Sequence, residues 1–523
     1  MNINKENSYQ KSENRKPIFY LVVFILFLLL NFLIMFIVYS IGIEPIYRHI
    51  TPFYALWKPI HHSYLFSLQL PLSILIGTIL IYYANKLSYK ILIASILSIL
   101  YVIFYFLLTK KISSQLIYEL VVLLTVTCIL PYLTNICFNK KVESFKNIWI
   151  LLVGIYLFYI CISFEVAAIR GGIDVISQPY QRTKYEYIGD IGITKSIYEL
   201  FNRYHEIQPY MSLHARLAPP GPLSLLWLVS YLIGNSPLSL SIFTVLFGGL
   251  AIFPLFLWIK ELSEKQVKTA LGGTLLYAII PSLVLFCATS TEILYMPFLF
   301  LSLWGFEKAI NSHSILYIFF AGILFAILSL FKFTLLSVAI YFILRGLLSL
   351  YERKTPFLRL VLLSLSMLIG FFSFYLILCS FTGYKPIRVF LQSQKMFNED
   401  MFALQSISPR YSLWWFKLFT PWSWIYFTGI PIFLGFLFQI KTTQKHDLLE
   451  YSLFLATLLV LDIAYIAPGE GERSALYIFP FFLIPALRYW GTKSKDNPNL
   501  MIIVSAFMIF QAVLTESLFY TYW

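Results

Sequence analysis

IFYLVVFILFLLLNFLIMFIVY, residues 18–39, contains one strongly polar side chain, Asn31, and two tyrosines in an otherwise unbroken apolar run. At ~1.5 Å of helical rise per residue the run is about 33 Å long, enough to cross the ~30 Å hydrocarbon core of a bilayer. It is too long for the apolar core of a signal peptide and no small-residue cleavage site follows, so it is expected to stay in place as a first spanning helix. Residues 1–17, which include Arg15 and Lys16, then form a cytoplasmic tail.

Comparable apolar runs recur to the C-terminus. Of 523 residues 59% are hydrophobic and only 12% charged, far below the quarter or so typical of soluble domains. The fold class this implies is all-α: a polytopic helical membrane protein with about 13–15 transmembrane helices. Spans are expected near 18–40, 65–83, 91–108, 118–137, 147–165, 238–259, 269–286, 291–307, 314–331, 334–350, 358–379, 421–440, 449–468, 474–490 and 500–520. With the N-terminus inside, the short cytoplasmic connections collect Lys86 and Lys90, Lys140, Lys141 and Lys146, Lys260, Lys265 and Lys268, Arg353, Lys354 and Arg359, Lys441 and Lys445, and Arg488, Lys493 and Lys495, which is the positive-inside pattern. That pattern accounts for the net charge of +14. No soluble domain offers a basic patch with interleaved aromatics, so no nucleic-acid partner is expected. The five cysteines lie in or beside apolar segments without metal-ligand spacing and read as packing residues.

The chain divides into the tail, an N-terminal four-helix membrane region at 18–145, a membrane module at 146–380 that includes an external loop at 166–217, a second external loop at 381–420 with an amphipathic segment, and C-terminal helices at 421–523. Pro222–Gly234 is short for a span, and reading it as re-entrant or interfacial preserves the charge pattern downstream. This topology places Asp174, Asp190, His214, the Thr289–Glu292 turn, the loop from Tyr384 to Trp422 and the Gly469–Arg473 turn on one extracytoplasmic face. The expected location is the cell membrane, with the site outside.

Several of these residues suit chemistry. Asp174 lies beyond the helix that carries Glu165, where a partly buried acid could take a proton from a hydroxyl. Asp190 could do the same, or cap the turn that follows it. His214 and Arg216 precede Pro219-Pro220-Gly221, and their side chains beside a helix start would suit an anion. Glu292 opens a helix, where Ser290 or Thr291 could cap. Glu470 and Arg473 are spaced to share a helical face, so the carboxylate could fix the guanidinium fork. Asp462, deeper in that hairpin, is expected to pair. Tyr384, Lys385 and Arg388 begin a basic loop suited to anionic lipid or a lipid phosphate, and its tryptophans suit the interfacial belt. No nucleotide-binding, HExxH or nucleophile-elbow pattern occurs.

Three segments carry a resemblance: HARLAPPGPLSLLWL at 214–228, PSLVLFCATSTEILYMPFLFL at 281–301 and PGEGERSALYIFPFFLIPA at 468–486. In this order the chain, over roughly residues 147–490, resembles the polytopic GT-C membrane glycosyltransferases, of the protein mannosyltransferase and aminoarabinose transferase type. The resemblance implies transfer of a hexose or pentose from a polyprenyl-phosphate donor to an extracytoplasmic glycan, lipid or protein acceptor among membrane lipids. It implies Asp174 as base, with Asp190 as competitor, and Glu292 as the acid of the second external turn. Donor binding would fall to Arg473, held by Glu470, with Arg216 and His214; relatives often carry histidine directly before the prolines, where this chain has Ala218. No cofactor is implied with certainty, although a divalent cation is possible. The competing readings are a lipid-linked glycan ligase or polymerase and a lipid or solute transporter; the one-sided polar face and the absence of repeated halves favour the enzyme.

Overall fold

The computed structural model describes residues 3–40, 56–57, 59–61, 64–84, 86–110, 113–139, 144–181, 185–407, 413–442, 445–464, 471–497 and 499–521. Within them the chain is helical apart from a two-residue antiparallel pairing of Leu56–Trp57 with Phe519–Tyr520. Among the described residues nine helices are long and apolar enough to cross a membrane: Pro17–Met35, Leu87–Thr109, Ser114–Asn139, Phe145–Ala168, Pro237–Leu262, Thr291–Ser312, Phe333–Tyr351, Phe357–Thr382 and Leu500–Leu518. A tenth is formed if the bent pair Thr420–Thr428 and Ile430–Thr442 is one span. The chain is thus an all-α, multi-pass membrane protein.

The expected segment 449–468 is one continuous helix over Lys445–Ala464, its last residues lying outside the described ones, and the other expected segments beyond the nine are shorter or broken. The segment 269–286 splits into Val267–Ala278 and Pro281–Phe286, because Pro281 cannot donate to a continuous ladder and holds Ile280 extended at φ −59°, ψ 127°. The segment 474–490 begins with a turn at Gly471–Ser474 and a 3₁₀ turn at Leu476–Ile478 before Phe479–Asp496. Gln69–Tyr83 and Ile315–Ser329 are apolar but short, as is Gly221–Ile233, the segment read as re-entrant or interfacial.

Burial around the helices separates the bundle's interior from its rim. Leu500–Leu518 is buried along its whole apolar window, whereas Phe357–Thr382 is only 11% buried and turns Leu365, Phe372 and Leu376 outward. The buried helix also repairs the 102° break between Thr420–Thr428 and Ile430–Thr442: Gln511 Oε1 accepts from Ile430 N at 2.9 Å and Gln511 Nε2 donates to Tyr426 O at 2.7 Å. Gly429 makes this turn at φ 98°, and a Cβ there would lie 2.3 Å from Met508 Sδ. A break inside a membrane persists only if the freed backbone groups find partners in the protein.

Polar groups inside the spans follow the same rule. Asn31 receives Trp422 Nε1 at 2.7 Å and donates to Phe27 O at 2.7 Å. Glu307, fully buried, accepts from Arg345 Nε at 3.0 Å and Tyr341 Oη at 2.6 Å, so the two charges enter the bundle as a pair. The main-chain carbonyls of Asp462 and Ile463 accept from Lys417 Nζ, the latter at 2.7 Å.

Candidate active site

The loop after Phe145–Ala168 is built of short helices. Asp174–Gln181 is followed by a 3₁₀ turn at Tyr187–Asp190, a helix at Ile197–Ile207 and a last turn at Leu213–Leu217. Ser196 caps Ile197–Ile207 by accepting from Glu199 N at 3.1 Å, and Glu199 Oε2 returns to accept from Lys195 N at 2.9 Å. Tyr204 Oη donates to Ala215 O and Ala218 O at 2.8 and 3.0 Å, drawing the segment before the prolines against this helix. Asp190 does not cap the turn that follows it. Both of its carboxylate oxygens, each at 3.1 Å, accept from Ser212 N, because the loop folds back over it. Burial holds the Asp190 carboxyl above the usual range, and the bonds from Ser212 oppose that rise.

Pro219-Pro220-Gly221 then starts Gly221–Ile233. Gly221 N donates to Leu330 O at 2.8 Å, and a Cβ at Gly221 would sit 2.3 Å from that oxygen. The turn is thereby fastened to the chain just before Lys332.

Two contact groups meet at this end of the bundle. In the first, Glu186 is buried, its Oε1 lying 3.2 Å from His214 Nδ1 and 3.6 Å from Arg473 Nη1. Arg473 Nη2 lies 3.4 Å from His214 Nε2. In the second, Lys332 Nζ bridges Glu292 Oε1 at 3.1 Å and Ser474 O at 2.9 Å. Lys332 thus contacts the residue next to Arg473. Tyr187 lies beside the first group, its ring centroid 6.5 Å from that of His214. Its buried phenol is held well above its usual pKa by desolvation first and then by the charges of Glu292, Tyr204 and Glu186, with Arg473 opposing. Ser290 accepts from Glu292 N at 3.2 Å, fixing the start of that turn. Glu472 is buried, its Oε2 accepting from Ser423 Oγ at 3.2 Å and its carbonyl accepting from Ser282 Oγ.

The sequence-predicted residues divide accordingly. His214, Arg473 and Glu292 come together here, with Asp190 beneath the same loop. Asp174 is exposed at the start of Asp174–Gln181. The Arg216 guanidinium points to Asp400 on Pro386–Ile407, its Nη2 lying 2.8 and 2.7 Å from the two carboxylate oxygens. Tyr384 is buried against Phe201, with ring centroids 5.5 Å apart, and Lys385 Nζ lies 3.3 Å from His205 Nε2. Arg388 is exposed on the same helix. Pro386–Ile407, the amphipathic segment of the second loop, is therefore tied to the first loop. Glu470 lies outside the described residues, as do Arg410 and the turn at 465–470. Among the described residues no three His, Cys, Asp or Glu side chains assemble to hold a metal ion.

Glu186 and Lys332 were not foreseen. Lys332 had a legible signal, a lone cation in the two-residue connection between apolar runs at 314–331 and 334–350. Glu186, in KYEYIGD, had none beyond its place in a polar loop.

No match is found among curated proteins. Residues 218–377, which begin at Ala218 and include Gly221, Glu292 and Lys332, match the family described as dolichyl-phosphate-mannose-protein mannosyltransferase, and this bears out the resemblance of the chain to the GT-C membrane glycosyltransferases.

Proposed function

We propose that the chain transfers a sugar from a polyprenyl-phosphate donor to an extracytoplasmic acceptor, and that the Glu186–His214–Arg473 group with Lys332 and Glu292 is where transfer occurs. The observation that carries this reading is the convergence of His214 and Arg473, 259 residues apart, on one buried carboxylate beside a second cation.

The two cations suit a phosphate. Arg473 offers a planar fork for two oxygens and Lys332 a compact charge beside it. His214 accepts from Arg473 at Nε2 and donates from Nδ1 to Glu186, so the neutral Nδ1–H tautomer fits both neighbours. A donor phosphate that takes the guanidinium leaves Glu186 as a carboxylate close to the sugar's anomeric carbon. In a single displacement the acceptor oxygen bonds to that carbon as the bond to the phosphate oxygen breaks. Its proton passes to the carboxylate, and the lipid phosphate departs with the bonding electrons, its charge stabilised by Arg473 and Lys332. Asp174, exposed nearer the loop's entry, is the alternative proton acceptor.

The test is incubation of purified protein with radiolabelled polyprenyl-phosphate sugars and candidate acceptors. Release of lipid phosphate with label in the acceptor, lost in Arg473→Ala, is expected. Failure to turn over any donor, together with movement of lipid or solute across proteoliposomes, would replace this reading with a transporter.

A further inference from the structure

Three helices start beside the site and end together elsewhere. Met296–Ser312 begins just after Glu292, Ala339–Tyr351 follows Lys332, and Phe479–Asp496 follows Arg473. The first is 17 residues long, which is about 25 Å of helix. At their far ends, Asn311, Glu352 and Lys495 line one cavity of about 980 Å³. The connection from Glu261 to Thr269 closes its side. This is the end of the bundle where the positive-inside pattern is expected to face the cytoplasm.

Most charges around the cavity are matched. Glu261 holds Lys308 at 3.0 Å, Glu352 holds Lys354 at 2.8 Å, Glu450 holds Arg488 at 2.5 Å, and Arg345 goes to the buried Glu307 at 3.0 Å. What is left over on the lining is Lys265, Lys268 and Lys495 against the single carboxylate of Glu264. These three lysines are exposed, and among the described residues none has an ion-pair partner. Their placement is unfavourable by itself. Lys268 lies in the first turn of Val267–Ala278, where the helix already presents the positive end of its dipole and Gln266 supplies no side-chain cap. Lys265 precedes that turn, and Lys495 approaches from the end of a different helix. Three ammonium groups and uncapped helical amides facing one polar cavity form a receptor for a compact polyanion.

We propose that this cavity, at the opposite end of the bundle from Arg473, binds a phosphate-bearing anion through Lys265, Lys268 and Lys495. A phosphorylated solute and the headgroup of an anionic phospholipid share this chemistry. The test is thermal melting of the purified full-length protein in neutral detergent, titrated with inorganic pyrophosphate in one arm and dihexanoyl phosphatidylglycerol in the other. Lys265→Gln/Lys268→Gln/Lys495→Gln is compared with wild type, and Lys86→Gln/Lys90→Gln serves as a control at another basic connection. A saturable rise in melting temperature in either arm is expected, with apparent affinity weakened about tenfold or more in the triple variant and unchanged in the control. Response to pyrophosphate alone identifies a soluble phosphate, and response to the lipid alone identifies a headgroup. The proposal is overturned if wild type responds in neither arm, if the triple variant responds like wild type, or if the control loses as much.

Discussion

Arg473 Nη2 lies 3.4 Å from His214 Nε2, and both side chains lean on the same buried carboxylate, Glu186. The guanidinium is thereby aimed before any donor arrives. A charge-assisted hydrogen bond contributes about 1.5–3 kcal/mol, so Arg473→Ala should weaken donor affinity by roughly 10- to 100-fold. Arg473→Lys should recover only part of this, because an ammonium cannot reproduce the fork. Equilibrium binding of a labelled polyprenyl-phosphate sugar checks it; unchanged affinity in Arg473→Ala would remove the residue from the donor site.

The carboxylate that takes the acceptor's proton is decided by comparing Glu186→Gln with Asp174→Asn. Loss of a general base typically costs 10²–10⁴-fold in rate, and Glu186→Gln should fall in about that range while still binding donor. Asp174→Asn should keep a larger share of turnover, since Asp174 is exposed and outside the contacts that gather Glu186, His214 and Arg473. The reverse result in single-turnover assays would return the role to Asp174.

Arg216 and Asp400 tie the first loop to Pro386–Ile407 through a pair in which each side chain is about one-third exposed. Pairs this open to solvent are worth about 0–1 kcal/mol. A double-mutant cycle with Arg216→Ala and Asp400→Asn should therefore give a coupling in that range, and neither variant should lose donor affinity as Arg473→Ala does. Donor binding that fell equally in Arg216→Ala would show that the arginine leaves Asp400 for the phosphate.

The membrane architecture was legible because each span is a local property: a run such as residues 18–39 declares itself without its neighbours. The interruptions were less so. Pro281 marks one in the sequence, but the bend at Gly429 depends on Gln511, far away in the chain, to satisfy the freed backbone groups. In the candidate site, His214 and Arg473 were readable from their setting beside turns at helix starts. Glu186 was not, because only the fold-back that puts Ser212 over Asp190 brings it under His214. Arg216 looked like a phosphate ligand by proximity to the prolines, yet its direction is set by an acid 184 residues later.

Gly221 sits where two backbones touch. A methyl group there would meet Leu330 O at 2.3 Å, a rigid neighbour two residues before Lys332. Overpacking of this kind costs about 1–3 kcal/mol, so Gly221→Ala should lower the melting temperature of the purified protein. It should also weaken donor binding by shifting Lys332. A variant with wild-type melting and binding would mean that the Pro-Pro-Gly turn does not set the position of that lysine.

His205 supplies a pH dependence. Its pKa is lowered by burial and then by Lys385, with Arg388 acting the same way and Glu206 opposing. The neutral ring accepts from Lys385 Nζ at 3.3 Å, a contact that protonation would turn into repulsion. Since the folded-state pKa lies below the unfolded value of about 6.5, this contribution to stability is fully present above that pH and is lost as pH falls through the folded value. Between pH 8 and pH 5 the wild type should lose more melting temperature than His205→Gln, which keeps a polar group but cannot take up the proton. Parallel losses in the two proteins would show that the link between the first loop and the start of Pro386–Ile407 does not titrate through His205.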